Sequence, residues 1–87
     1  MALLTVQHTV RDYQTWRAIF DTLEEVRQDW GVTAESIHQL AGAPNTVLVL
    51  LHFATVAQTQ GFLTNRAHQA VMQCAGVEGS PRVEIYA

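Results

Sequence analysis

The sequence predicts an α+β fold in which four strands and two helices follow one another in the order β-α-β-β-α-β. Three patterns predict this order: an alternating apolar pattern near the N-terminus, a helical apolar stripe directly after it, and two β-rich segments around a turn that contains Gly and Pro. The chain has 87 residues, so residues 1–87 are expected to form a single domain. Right-handed crossovers favour a four-stranded antiparallel sheet with strand order 4-1-3-2 and both helices on one face.

The first strand is predicted over residues 3–10, because apolar and polar side chains alternate there. One long helix is predicted after it. Asp12 is expected to cap its N-terminus and Gly31 to end it, with Arg27 on its polar side. Its apolar residues follow helical spacing and are expected to face the core: Tyr13, Trp16, Phe20, Leu23, Val26 and Trp30.

A central hairpin is predicted next, with strands over residues 32–40 and 46–53. Residues 41–45 are expected to form its turn, because Gly42 and Pro44 interrupt regular structure. The third strand is apolar at both odd and even positions, which is typical of a strand that is covered on both faces.

A second helix is predicted to begin at Thr55, with Gln58 as its capping partner three residues later. It is expected to break near Thr64 and Asn65 and to continue to about Ala75. Gly76 and Gly79 are expected to end it, and Pro81 leads into a last strand over residues 82–86.

Composition restricts the classes of partner. Hydrophobic residues make up 48% of the chain and charged residues 15%, so a small core leaves apolar surface for a second copy or a ligand. Five basic residues against eight acidic ones argue against nucleic acid and against an anionic membrane surface. The longest apolar run, residues 47–51, is too short to cross a membrane. With no basic leader at the start, a cytoplasmic protein is expected.

The register of the hairpin decides which residues share a face of the sheet. Closure at the 41–46 turn places His38 opposite Val49, with His8 opposite Val49 from the other side. One face is then expected to meet the helices: Leu4, Val6, His8, Val10, His38, Leu40, Val47, Val49, Leu51 and Phe53. The other is half polar and is expected to form a homodimer interface: Thr5, Gln7, Thr9, Ile37, Gln39, Leu48, Leu50 and His52.

His8 and His38 are the candidate catalytic residues. An imidazole with a pKa near 6.5 in an apolar pocket can act as general base or general acid at neutral pH. The alternative for each is a core histidine whose nitrogens are satisfied by backbone or water. Aromatic and apolar residues are expected to line a pocket for a small hydrophobic ligand around them: Trp16, Phe20, Phe62, His68 and Met72.

No metal or cofactor is expected from the motifs. The histidines do not follow the spacing of metal ligands, and there is no Cys-x-x-Cys. No glycine-rich phosphate loop follows a strand. Cys74 lies among small apolar neighbours and is interpreted as a buried structural thiol.

The segment Val6-Gln7-His8-Thr9-Val10-Arg11-Asp12-Tyr13-Gln14-Thr15-Trp16, followed by Phe20-Asp21, resembles the opening of small dimeric α+β barrel proteins of the antibiotic biosynthesis monooxygenase type. Ala75-Gly76-Val77 followed by Pro81 is similar to their closing segment. The resemblance implies a ferredoxin-like fold and a homodimer with its sheets packed face to face.

The superfamily that this resemblance points to includes cofactor-free monooxygenases, polyketide cyclases, muconolactone isomerases, haem-degrading enzymes and proteins with no known activity. Its haem-degrading members use an Asn–Trp–His set. That set is not transferred, because Asn45 and Asn65 lie in predicted loop or cap positions.

Three hypotheses follow. The first is a cofactor-independent cyclase, isomerase or monooxygenase that acts on a hydrophobic, aromatic or polyketide-like molecule, with His8 as base or acid. The second is a non-catalytic homodimer that binds a metabolite or has a regulatory role. The third is haem handling.

Overall fold

The structure, a computed structural model, describes residues 1–64 and 77–87, with the side chains of residues 77–80 left aside. Its strands are β1 (Ala2–Val10), β2 (Val32–Leu40), β3 (Ala43–Phe53) and β4 (Val77–Tyr86). They form an antiparallel sheet in the order β2-β3-β1-β4, which confirms the predicted α+β, ferredoxin-like topology. Helices α1 (Tyr13–Thr22) and α2 (Glu24–Asp29) connect β1 to β2, and α3 (Val56–Leu63) follows β3.

The core lies between one face of the sheet and the helices. Alternate residues of β3 are buried on this face: Val47, Val49, Leu51 and Phe53. Trp16 and Phe20 from α1 and Phe62 from α3 belong to the same buried cluster. The helices therefore lie on one face of the sheet, as predicted.

The single long helix predicted after β1 is wrong, because the helix is interrupted at Leu23. There the backbone (φ −100°, ψ 11°) leaves the helical conformation, and the amide of Leu23 donates to the carbonyl of Phe20 at 3.1 Å. This break changes the helical phase of the residues that follow. Trp30 is consequently 40% exposed rather than in the core, whereas Arg27 is buried rather than on the polar side.

The caps of this helical segment agree with the prediction. The carboxylate of Asp12 accepts a hydrogen bond from the amide of Thr15 at 3.0 Å, which satisfies a free donor in the first turn of α1. Gly31 follows the last helical turn with φ +102°, a conformation that glycine adopts without steric cost.

The hairpin turn is tighter than predicted, and an irregular pairing beside it sets the register of β2. Only residues 41 and 42 form the turn, with Gly42 at φ +83°, and β3 already begins at Ala43. The pairing also shifts between Gln39 and Leu40. As a result His38 pairs with Leu48, one position away from the predicted Val49, which pairs with Ile37 instead.

A shift of one residue moves a side chain to the other face of a sheet. The prediction that His38 faces the helices is therefore wrong, and so is the placement of Ile37 on the open face. Ile37 instead packs against the buried core. The pairing of β1 differs by two residues, since His8 pairs with Val47 rather than Val49. An even shift keeps the face, and His8 is on the helix side as predicted.

The second helix begins and ends close to its predicted positions. The hydroxyl of Thr55 accepts from the amide of Gln58 at 3.1 Å, and α3 ends before Thr64. The predicted continuation to Ala75 lies outside the described residues. β4 is longer than predicted and contains Gly79 and Pro81; proline is tolerated there because β4 is an edge strand.

The second face of the sheet, here called the open face, has no described helix against it. Half-buried apolar side chains, among them Leu48 and Leu50 of β3, alternate on it with polar ones. Among the described residues, no helix is long and apolar enough to cross a membrane.

Candidate functional site

His8 lies in β1 on the helix side of the sheet, and its side chain is only 6% exposed. It pairs with Val47 of the central strand β3. Its imidazole contacts the indole of Trp16, with 5.2 Å between ring centroids and 60° between ring planes. The candidate base is thus enclosed by the core and an aromatic ring.

The start of α1 places Trp16 over His8. The chain leaves β1 at Val10, and α1 begins after Asp12, so the first helical turn brings the indole back over the strand it has just left. Asn45 of β3 holds this turn: its Oδ1 accepts from the amide of Tyr13 at 3.1 Å, and its Nδ2 donates to the carbonyl of Arg11 at 3.4 Å. Sequence patterns do not indicate this role, because they place Asn45 in the predicted turn.

Three aromatic rings continue from His8 along α1. Trp16 is fully buried and stacks on Phe20, with 5.0 Å between centroids and 27° between planes. The ring centroid of Tyr13 lies 6.1 Å from that of the indole. The environment of His8 is therefore apolar and aromatic, whereas the role of Trp16 and Phe20 as walls of a ligand pocket stays a prediction.

Three buried polar atoms of this cluster have no hydrogen-bond partner among the described residues: Nδ1 and Nε2 of His8 and Nε1 of Trp16. Leaving a buried polar group unpaired costs about 1–3 kcal/mol, so such groups in a folded protein call for an explanation. A neutral imidazole donates from one nitrogen and accepts at the other, whereas the indole only donates. Together they match a ligand that carries a hydroxyl or carbonyl oxygen.

Burial lowers the pKa of His8 below its ordinary value of 6.5, because the imidazolium loses its hydration there. The ring is therefore neutral at pH 7. A neutral imidazole has a free lone pair and can accept a proton, which is the state that a general base needs.

His38 lies on the open face and does not share a site with His8. Its ring is exposed, and its Nε2 lies 3.2 Å from the hydroxyl of Ser36. It lines a shallow groove of about 230 Å³ at the hairpin end of the open face, together with Gln7, Gln39, Leu40, Ala41, Thr46 and Leu48. The prediction of a pocket common to His8 and His38 is wrong, because the irregular pairing between Gln39 and Leu40 shifts the register by an odd number of residues and moves His38 to the open face.

The other predicted wall residues divide into two groups. Phe62 is buried on the helix side and packs on Phe53, with 5.5 Å between centroids. His68 and Met72 lie outside the described residues. His52 is on the open face, as predicted, paired with Leu3 of β1. Within residues 1–64 and 77–87, no group of three or more His, Cys, Asp or Glu could hold a metal ion.

No protein-family model and no curated protein matches the chain. Solved structures do. A candidate antibiotic biosynthesis monooxygenase from Bordetella bronchiseptica has a TM-score of 0.80 at 13% identity, over 99% of this chain and 95% of that one. SnoaB from Streptomyces nogalater, described as a cofactor-independent oxygenase, has a TM-score of 0.79 at 8% identity, over 99% of this chain and 90% of that one.

A protein of unknown function from Nitrosomonas europaea is similar as well, with a TM-score of 0.76 at 19% identity over 98% of this chain and 85% of that one. At these identities the likeness shows a shared fold. It confirms, at the level of fold, the resemblance to antibiotic biosynthesis monooxygenase-type proteins that the sequence indicated.

The lowered pKa of His8 predicts a pH-dependent contribution to stability. At pH values between the lowered pKa of His8 in the folded chain and 6.5, His8 binds a proton in the unfolded chain but not in the folded chain. Stability is therefore complete above about pH 6.5 and falls as the pH is lowered toward the pKa of buried His8. Its loss is at most about 1.4 kcal/mol per pH unit.

Replacing the imidazole by an apolar ring, His8→Phe, should remove this contribution, which urea unfolding between pH 5 and pH 8 measures. The free energy of unfolding should fall less steeply with acid in His8→Phe than in the parent protein. His38→Asn, at an exposed position, is the control and should keep the parent slope. Equal slopes for His8→Phe and the parent would contradict burial of a neutral His8.

Proposed function

We propose that this protein is a cofactor-independent enzyme that acts on a small hydrophobic molecule, aromatic or polyketide-like, bound between the sheet and the helices. His8 is its general base and, on the return of the proton, its general acid. The observation that carries the proposal is the set of three buried polar atoms on His8 and Trp16 that have no hydrogen-bond partner within residues 1–64 and 77–87. A substrate oxygen beside them would supply the missing hydrogen bonds.

The first chemical step is removal of a proton from the substrate. The neutral imidazole of His8 takes the proton from an acidic O–H or C–H group, and the indole N–H of Trp16 donates to the oxygen on which negative charge develops. The aromatic side chains around them exclude water and strengthen both interactions. Phe20 stacks on Trp16, and Phe62 belongs to the same buried core.

The charge balance of the site favours a substrate that is neutral before it reacts. Burial is the cause of the lowered pKa of His8, and no charged side chain of the described residues contributes to it. The buried guanidinium of Arg27 is engaged by Glu35. An acidic phenol or enol can bind as a neutral molecule and lose its proton only to His8, whereas a carboxylate would have to be buried as a charge.

Cyclisation, isomerisation and oxygenation all can begin from the enolate or phenolate that this step produces. SnoaB, which shares the fold, is described as a cofactor-independent oxygenase, and this favours oxygenation. In that case the carbanion form of a ring such as an anthrone reacts with O₂. One oxygen atom becomes the new ring carbonyl and the other leaves as water, with both protons coming from the substrate.

A second function uses the same cluster without chemistry: a homodimer that binds a metabolite or regulates a process. The three unpartnered atoms can hold a ligand by hydrogen bonds alone. Binding without turnover distinguishes this function from the enzyme. The cytoplasmic location expected from the sequence stays a prediction.

We also propose that two copies pair through the open face. Leu48 and Leu50 of β3 are half-buried there although no described helix covers them, and half of the face is polar. A second copy would bury these leucines against an identical surface, as in a symmetric interface. The hairpin groove that contains His38 would then lie at or beside the interface.

Removal of the imidazole, His8→Asn, should lower kcat by about 10²–10⁴, the usual contribution of a positioned acid or base. The assay follows oxygen uptake and quinone absorbance with a panel of hydroxylated anthrones and naphthols. Because His8 must be neutral, kcat/KM of the parent should fall only below pH 6.5, toward its lowered pKa. His38→Asn should retain parental kcat.

An unchanged rate in His8→Asn would remove His8 from the mechanism. Saturable binding of a panel member to the parent without oxygen uptake or any new product would favour the non-catalytic homodimer. In that case affinity should be lost in His8→Asn and retained in His38→Asn.

A charge placed on the open face, Leu50→Arg, should convert a dimer into a monomer, because the guanidinium would be buried without a partner against the second copy. Light scattering after gel filtration measures the mass. Ala18→Arg, which adds the same charge to the exposed side of α1, is the control and should remain dimeric. A monomeric parent, or a dimeric Leu50→Arg, would contradict this interface.

A further inference from the structure

Arg27 is a buried charge that the proposed mechanism does not use. It lies in α2 and is 1% exposed. Burying a guanidinium is costly unless its charge and its N–H groups are matched. Glu35 of β2 matches it with a two-point contact: Nε lies 2.6 Å from one carboxylate oxygen and Nη2 lies 3.0 Å from the other. This contact fastens α2 to the edge strand β2.

The same guanidinium also contacts Phe20 in two ways. Its Nη1 donates to the backbone carbonyl of Phe20, and its central carbon lies 3.6 Å from the centroid of the Phe20 ring. The first contact fixes the backbone where α1 ends, and the second is a cation–π contact that fixes the ring plane. Backbone and side chain of Phe20 are thus held by one group.

Phe20 connects the guanidinium of Arg27 to the Trp16 and His8 pair. Its ring stacks on the indole of Trp16 at 5.0 Å, and the indole contacts His8 at 5.2 Å. A continuous column therefore runs from Glu35 on β2 through Arg27, Phe20 and Trp16 to His8 on β1. It crosses the layer between helices and sheet and connects the edge strand β2 with the inner strand β1.

The interruption at Leu23 sets up this column at the expense of apolar burial. It turns Arg27 inward and leaves Val26 and Trp30 exposed at 38% and 40%. An apolar pair of similar volume often stabilises a core as well as a buried ion pair does. The ion pair adds a defined orientation, because the two-point contact of the planar guanidinium fixes both its angle and its distance to the carboxylate.

We infer that Arg27 and Glu35 are positioning residues of the site: acting through Phe20, they hold the Trp16 indole in its orientation against His8. The consequence for catalysis rests on the proposed function, whereas the orientation itself does not. Arg27 and Glu35 touch no substrate and are not catalytic residues.

The test separates orientation from stability. Trp30→Phe serves as the parent background, because it leaves Trp16 as the only tryptophan of two. The variants on this background are Arg27→Met/Glu35→Leu, which replaces the pair by apolar side chains, and Arg27→Lys, which keeps the charge but loses the planar fork. Urea unfolding gives the stability. NMR without substrate at pH 8, where His8 is neutral, gives the indole N–H resonance and the ring-current shift of the His8 Cε1 proton.

In Arg27→Met/Glu35→Leu we expect an unfolding constant within about tenfold of the background, because no unpaired charge remains buried. The indole N–H and His8 resonances should nevertheless move, as should those of Arg27→Lys. A double variant of background stability with both resonances unmoved would overturn the inference and leave the pair a purely structural contact. If the double variant is unfolded, Arg27→Lys decides by the same two resonances.

Activity adds an independent readout. If the proposed function holds, the double variant should lose kcat while its KM changes little. If the protein is not an enzyme, the two resonances still move, so failure of the function and failure of the positioning role remain distinguishable.

Discussion

The alternation of inward-facing and outward-facing side chains along β3 decides which face of the sheet the residues of β1 and β2 occupy. Val47, Val49, Leu51 and Phe53 are buried against the helices, and the residues between them face the opposite way. Successive side chains of a strand point to opposite faces. The pairing with β3 therefore decides which side chains of β1 and β2 face the helices and which face away. His8 pairs with Val47 and is enclosed with the helices, whereas His38 pairs with Leu48 and is outside.

This constraint also explains what could be predicted. The strand order, the Asp12 and Thr55 caps and the inner position of His8 follow from local patterns, and an even error in register leaves His8 on the correct face. The position of His38 depends on the odd register shift at the irregular pairing between Gln39 and Leu40, which alternation alone does not reveal. The role of Asn45 was not predicted, because the two-residue turn lets β3 begin at Ala43. Asn45 therefore lies in a strand and not in the predicted turn.

Arg27 could not be placed from the sequence, for a different physical reason. Helical spacing assigns it to the solvent side only if one helix runs unbroken from Tyr13 to Trp30. The break at Leu23 and the carboxylate of Glu35 on another element make its burial favourable, and both are properties of the tertiary structure. The resulting column ends at Trp16 and His8. The Arg27–Glu35 pair, which helical spacing does not predict, thus supports two residues that the sequence did identify.

In the proposed function, the nitrogens of His8 and Trp16 that find no partner in the described part of the chain form a ligand site. The most direct measurement is ¹⁵N NMR of the His8 ring nitrogens and the Trp16 indole nitrogen during titration with hydrophobic phenols and enols. We expect a compound that binds to shift these resonances together, with one dissociation constant, while the ring nitrogens of His38 stay unshifted. Binding that moves His38 and leaves His8 and Trp16 unchanged would contradict it.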